Sequence, residues 1–196
     1  MAINQIDIKI TGFSPLLMNN PRTVDVFDEY SKHKKQITAK RVKTDEELLE
    51  LRNIEIESKL YFDDDLKIYV PTRWVMASIC GWSFKKSKIS KADIRSAVFL
   101  NSDKAKLTYR YMNKVKEPSD IVGNPFFRHL MNLKQGQVRV VKAAPIFHDW
   151  SFEVGIEFDD SVIDELTLID IIQHAAKYGG YGDFRPTFGR AIAEVK

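Results

Sequence analysis

Residues 177–191 read KYGGYGDFRPTFGRA. Four of the chain's nine glycines fall in this stretch, set among tyrosines, phenylalanines and two arginines. That mixture suits one kind of chemistry. Glycines let a backbone approach a phosphate closely enough for N–H groups to donate to it. Aromatic faces stack on bases, and arginines neutralise phosphates. Tyr178, Gly180, Tyr181, Gly182, Phe184, Arg185 and Arg190 are therefore candidate nucleic-acid contacts. A second reading keeps the glycines structural, with Gly179 ending a helix and the others making turns. The stretch is not a Walker loop. No Gly-Lys-Ser/Thr follows, and the glycines precede a strand rather than open a helix, which disfavours nucleotide hydrolysis.

Two further groups carry the same charge logic. Residues 32–43, KHKKQITAKRVK, hold six Lys/Arg and one His with no acid, and Lys34, Lys35, Lys40 and Arg41 are the candidate contacts. The acidic run DEELLELRNIEIE follows at 45–57. Such segregation fits a polyanion-binding segment beside a helix, and equally a solvated loop and helix face. Lys85 and Lys86, in SFKKSK, suit the negative end of a helix or a phosphate.

Metal and acid–base chemistry have weaker footholds. Asp63, Asp64 and Asp65 read as an acidic turn, because consecutive side chains seldom converge on one ion. Of the histidines, His33 joins the lysines and His174 lies on a helix. His129, in FFRHLMNLK, has basic neighbours and is the candidate general base if the protein cuts RNA. No metal or cofactor is expected.

Regular elements must position these residues. Ile6, Ile8 and Ile10 alternate with Asp7 and Lys9, which predicts a half-buried strand over 5–11. Thr44 and Glu47 form a capping-box pattern for a helix over 45–58. KLYFDDDLKIYVP reads as a hairpin. A second helix is expected over 73–86, with Val75, Met76, Ile79, Cys80 and Trp82 inward. AVFL and KLTYRY look like strands, and a short helix is expected near 126–133. QVRVVKAAPIF is strand-like, and WSFEVGIEF, 150–158, is the clearest strand. A helix capped by Ser161 and Asp164 follows, with Val162, Leu166, Ile169, Ile172 and Ala176 as its inner stripe. It ends at Gly179–Gly180, and the chain closes on a strand over 188–195. This order predicts an α+β fold of antiparallel sheet with helices on one face.

Composition bounds the rest. Apolar residues make up 44% of 196, enough for a core, and net charge is only +3. No apolar run approaches membrane-spanning length, and MAINQIDIKI lacks the signature of a signal peptide, so a cytoplasmic protein is expected. The single Cys80 precludes an internal disulfide and a cysteine-based zinc cluster and reads as core packing.

A helix leading into a glycine-rich loop and a final strand resembles the signature of the repeat-associated RNA-binding (RAMP) superfamily of CRISPR systems. IKITGFSPLLMNN is similar to the first strand and loop of those proteins. LKIYVPTRWVMASICGW is similar to their hairpin strand entering the first helix, and APIFHDWSFEVGIEF to a later core strand. The resemblance implies a ferredoxin-like (RRM-like) core in one domain over 1–196, with insertions at about 12–58 and 100–137. It also implies binding of single-stranded RNA or DNA without catalysis, and an oligomer along the strand or a place in a ribonucleoprotein complex for antiviral defence. Arg73, at the hairpin-to-helix junction, joins the candidate contacts. The alternatives are a metal-independent RNA-processing endonuclease using His129, and a structural or interaction subunit, or an inhibitor that imitates one.

Overall fold

The computed structural model describes residues 3–196. In chain order the strands are β1 (Ile3–Gly12), β2 (Leu16–Leu17), β3 (Phe62–Asp63), β4 (Lys67–Pro71), β5 (Val98–Leu100), β6 (Lys104–Lys106), β7 (Arg128–Gln135), β8 (Val138–Phe147), β9 (Ser151–Asp159) and β10 (Ala191–Val195). The α-helices are α1 (Glu29–Thr38), α2 (Asp45–Glu57), α3 (Arg73–Ser87), α4 (Lys91–Ala97), α5 (Pro118–Val122) and α6 (Glu165–His174). Two compact units are formed. The first comprises residues up to Leu16, Asp63–Arg110 and Phe147–Lys196; the second comprises Leu17–Phe62 and Tyr111–Ile146. No helix of the described residues is long and apolar enough to cross a membrane.

The first unit is built on a four-stranded sheet in the order β10-β1-β9-β5, with every neighbouring pair antiparallel. Its elements follow the chain as strand, helix, strand, strand, helix, strand: β1, α3, β5, β9, α6, β10. Renumbered within that set, the order is 4-1-3-2, the split βαβ arrangement of ferredoxin-like folds. The fold is therefore α+β and ferredoxin-like on strand order alone. Period-two alternation puts Ile6, Ile8, Ile10, Phe152, Val154, Ile156 and Phe158 on the buried face. In register, Ile8 lies opposite Val154 and Ile10 opposite Phe152. Buried Val75, Ile79, Leu168, Ile171 and Ile172 come from α3 and α6.

The C-terminal helix departs from its expected stripe. Leu166 is 79% exposed and Val162 44% exposed, while Ile163, Leu168, Ile171 and Ile172 are buried. The helix begins only after Asp164, whose side chain accepts the Thr167 N–H at 2.9 Å. Val162 thus precedes the helix and lies outside its periodicity. The final turn widens to π geometry over Ala175–Gly179.

Trp150 anchors this unit. Its indole Nε1 donates to the Ser14 carbonyl at 2.7 Å, and its own carbonyl accepts the Gly12 N–H at 2.8 Å. Its ring lies 5.9 Å from Phe152, and Tyr181 meets both rings edge-on. All three are buried. Each such side chain contributes roughly 1.5–3 kcal/mol through burial. Gly12 is the necessary counterpart, because a Cβ there would stand 2.0 Å from the indole.

The second unit holds a helical hairpin and a β-hairpin. The basic segment 32–43 is not a loop: its first part is helix α1, capped by Asp28, whose side chain accepts the Tyr30 N–H at 2.9 Å. The capping box expected at Thr44 and Glu47 opens α2. The Tyr30 hydroxyl donates to Glu57 at 2.9 Å; burial, reinforced by that carboxylate, pushes its pKa up to about 12. The short helix expected near 126–133 is instead strand β7, paired with β8 from Arg128↔Pro145 to Gln135↔Val138. Ladder hydrogen bonds to a partner strand outweigh the local preference of a run whose period is ambiguous. Glu55 ties the hairpins together. It accepts from Lys142 at 2.8 Å, from Lys34 at 3.2 Å and from the Ala143 N–H at 3.1 Å. Burial opposes its charge, yet these donors together hold its pKa below the usual glutamate value.

Gly12→Ala should lose about 3 kcal/mol or more in urea unfolding, because the methyl must displace a buried indole. Gly81→Ala, on an exposed face of α3 with open space around its Cβ, should instead gain about 0.5–1 kcal/mol. For Glu55 the depressed pKa means stability that is present above the unfolded value and lost as pH falls through the folded one. Glu55→Gln should therefore cost about 1–2 kcal/mol at neutral pH, and the gap to the parent should shrink as pH falls below the usual glutamate range. An unchanged gap would show that the Glu55 charge contributes nothing.

Candidate nucleic-acid interface

The glycine-rich loop is shaped first by its own backbone. Gly180 has φ 72° and donates its N–H to the Ala175 carbonyl at 2.8 Å, closing the widened helix end. Tyr181 donates to the Gly189 carbonyl at 2.8 Å. Gly189, at φ 75°, lies so close that a Cβ would stand 1.7 Å from the Tyr181 oxygen. This neck isolates residues 182–188 as a lobe. The neck is in turn fastened to the first loop: Gly189 N–H donates to the Pro15 carbonyl at 2.8 Å, and Arg190 N–H to the Ser14 hydroxyl at 2.8 Å.

Two proposed contacts are corrected by this geometry. Tyr181 is 1% exposed and packed on Trp150 and Phe152, so its ring has no face free for a base. Burial also raises the pKa of its hydroxyl. Gly180 is buried and spends its N–H on the helix end, so it does not offer that group to a phosphate. The lobe beyond the neck keeps Phe184 at 41% exposure, with Arg185, Pro186 and Thr187 also exposed. Gly182 has φ 76°, which favours glycine there. Asp183 puts a carboxylate into the lobe, and its side chain accepts the Phe184 N–H at 3.0 Å.

Beside the loop, the seam of α3 and α6 gathers three rings. Trp82 lies 6.0 Å from Tyr178 and 6.5 Å from His174, and His174 lies 5.3 Å from Tyr178. Gly179 makes room for Trp82, since a Cβ there would meet the indole nitrogen at 2.5 Å. Lys85 sits over the Trp82 ring at 5.0 Å and Lys177 over Tyr178 at 5.5 Å. Arg190 lies over Phe13 at 4.8 Å and donates from Nε to the Lys177 carbonyl at 2.9 Å. Tyr178, Pro186, Thr187 and Arg190 line an open cleft of about 350 Å³. Lys86 differs from its neighbour: it pairs with Asp170 at 3.1 Å, and His174 reaches the same carboxylate at 3.5 Å. Lys85, Lys86, Lys177 and Arg190 together outnumber Asp170, leaving this group net positive.

Nothing in the sequence alone brings Trp82 and His174 together. The helical stripe predicts Trp82 inward, but it is half-buried at the rim. The available signal was the four-residue spacing of His174 and Tyr178 at the end of one helix, which puts them on one face.

The remaining candidates are distributed elsewhere. Arg73 opens α3, about 18 Å along the helix from Lys85, where it borders a separate cleft with Arg95 and Phe99. The basic segment lies in the second unit, where acids match part of it. Lys34 pairs with Glu55, Lys40 with Glu47, and His33 with Glu50 at 2.8 Å. Lys35 and Arg41 are exposed. His129 stands on β7, half-buried, opposite Ala144 in the strand register. Asp63 accepts the Leu66 N–H at 2.7 Å and pairs with Lys104, as an acidic turn would. No group of three metal-ligating side chains occurs among the described residues.

The open face of the four-stranded sheet has the opposite character. It carries Asp7, Glu153, Glu157 and Glu194, with Lys9 standing between Glu194 and Glu153 in register. No aromatic residue lies on the open face of β1 or β9. These two central strands therefore lack the stacking rings that RRM domains carry on their sheet, and the exposed aromatic on this face is Phe99 of the edge strand β5, opposite Glu157.

No protein-family model matches the chain, and no curated protein matches it. Among solved structures it aligns with Cmr6 from Pyrococcus furiosus at 13% identity and a TM-score of 0.37, over 99% of this chain and 100% of that one. At that score the alignment carries no residue role across; the ferredoxin-like assignment rests on the strand order described above.

Proposed function

We propose that the protein binds single-stranded nucleic acid, RNA in the first instance, along the α3–α6 seam and the glycine-rich loop, and that it does so without catalysis as a subunit of a RAMP-like assembly. The observation that carries this reading is the cluster of Trp82, Tyr178 and His174 flanked by Lys85, Lys177 and Arg190. Rings and cations in alternation meet the two needs of a sequence-tolerant strand binder: a face for each base and a charge for each phosphate. The exposed Phe184 and Arg185 extend the same pattern onto the lobe. The acidic sheet face repels a phosphate backbone and so confines the strand to the seam and loop. In this reading the second unit is the inserted elaboration of a single ferredoxin-like domain.

Fluorescence anisotropy with labelled single-stranded RNA and DNA of one sequence, across several salt concentrations, tests it. Binding should weaken steeply with salt. Tyr178→Ala should lose about 1–3 kcal/mol of affinity on either strand. Replacing Lys85 and Arg190 together should flatten the slope of log affinity against log salt by about 1.4–1.8. Absence of binding by a folded protein, or variants with parental affinity and slope, would refute the assignment.

A further inference from the structure

The turn before α1 exposes an unusual amount of apolar surface. Val24 is 82% exposed, Val26 72% and Phe27 75%. Three large apolar side chains within four residues form a patch rather than scattered singles, and such patches mark contact sites. Asp25 lies among them and accepts the Phe27 N–H at 2.9 Å, which braces the turn.

The same unit contains a groove of about 410 Å³ bordered by α1, α2 and β8. Leu48, Leu51, Val140 and Val141 supply its apolar lining, and no aromatic ring contributes to it. Leu48 and Val141 are about half exposed, at 51% and 55%. Lys34 and Lys142 border the groove but are held by Glu55. Arg52 is different: it is half-buried in the lining and has no acceptor among the described residues. A guanidinium offers five donors, so a half-buried one without an acceptor is poised for an anion.

We propose that this groove receives the Val24–Phe27 turn of a second copy of the chain. The Asp25 carboxylate would accept from Arg52, and Val26 and Phe27 would cover Leu48, Leu51 and Val141. The turn complements the groove in charge and in apolar character, whereas a nucleic-acid strand would find no ring to stack on. Turn and groove are different patches of one molecule, so the contact is head-to-tail and propagates into a ring or an open row. The inference rests on the reading that copies assemble along a strand, and it names the contact that joins them.

Sedimentation velocity of the full chain without nucleic acid, over a range of concentrations, is the test. The parent should sediment faster as concentration rises. Val26→Asp with Phe27→Asp should weaken association by roughly thirty-fold or more, because an exposed anchor is lost without touching the core. Arg52→Glu and, separately, Val141→Glu should do the same from the groove side, with circular dichroism confirming that each variant is folded. Mixing the turn variant with a groove variant restores one intact contact and should yield a two-chain species and nothing larger. A parent that stays monomeric, variants that sediment like the parent, or a mixture without the two-chain species would overturn the proposal. So would an Arg52→Glu protein that assembles normally but binds RNA less tightly, which would make the groove a strand contact. Because self-association is read without RNA, its failure leaves the affinity and salt-slope test of the seam standing on its own.

Discussion

The contact of the Trp150 indole with Gly12 is the constraint on which the first unit depends. A side chain at position 12 would occupy the space of the ring, so glycine is the residue that lets β1 and the start of β9 close together. The indole N–H then fixes the Ser14 carbonyl. Ser14 and Pro15 in turn accept from Arg190 and Gly189, which sets the neck of the glycine-rich loop. One buried ring thus links the first loop of the chain to the last, across more than 170 residues of sequence. It also explains why Tyr181 is in the core: it completes the aromatic cluster around Trp150 and holds the loop down from within.

With the neck fixed, the surface beside it acquires its shape. The widened end of α6 and the closeness of Gly179 to Trp82 bring Tyr178, His174 and Trp82 within one ring's reach of each other. Cations sit over two of the rings. The glycines act mainly by permitting close approach between protein segments, while their aromatic and basic neighbours make up the surface of the seam. The electrostatics are segregated in the same unit, with acids on the open sheet face and cations at the seam. In the second unit the same two kinds of charge neutralise one another instead, through Glu55, Glu47 and Glu50.

Much of the architecture is legible from local patterns. Strict alternation marks β1 and β9, because one face of each is buried and the other is open. The Thr44–Glu47 capping box marks the start of α2, since that signal needs only four residues. The order of strands and helices is enough to expect an antiparallel α+β fold. The reading fails where neighbours distant in sequence decide. Residues 128–135 form a strand because β8 lies alongside, and Leu166 is exposed because α6 buries the face that carries Leu168, Ile171 and Ile172 instead. Within the basic segment, only the fold shows that α2 supplies Glu55 to Lys34 and Glu47 to Lys40.

By itself, the sequence determined the residue inventory of the glycine-rich stretch, the alternating strands of the core and the fold class. Each depends on periodicity or composition within a few residues. Only the tertiary structure decided which of those residues face solvent. Tyr178 and Tyr181 are three positions apart and chemically identical, yet one is 45% exposed beside Trp82 and the other is buried against Trp150. That difference arises because Gly180 reverses the chain between them, and because Trp150 and Phe152, some thirty residues earlier, provide the site that the second ring fills.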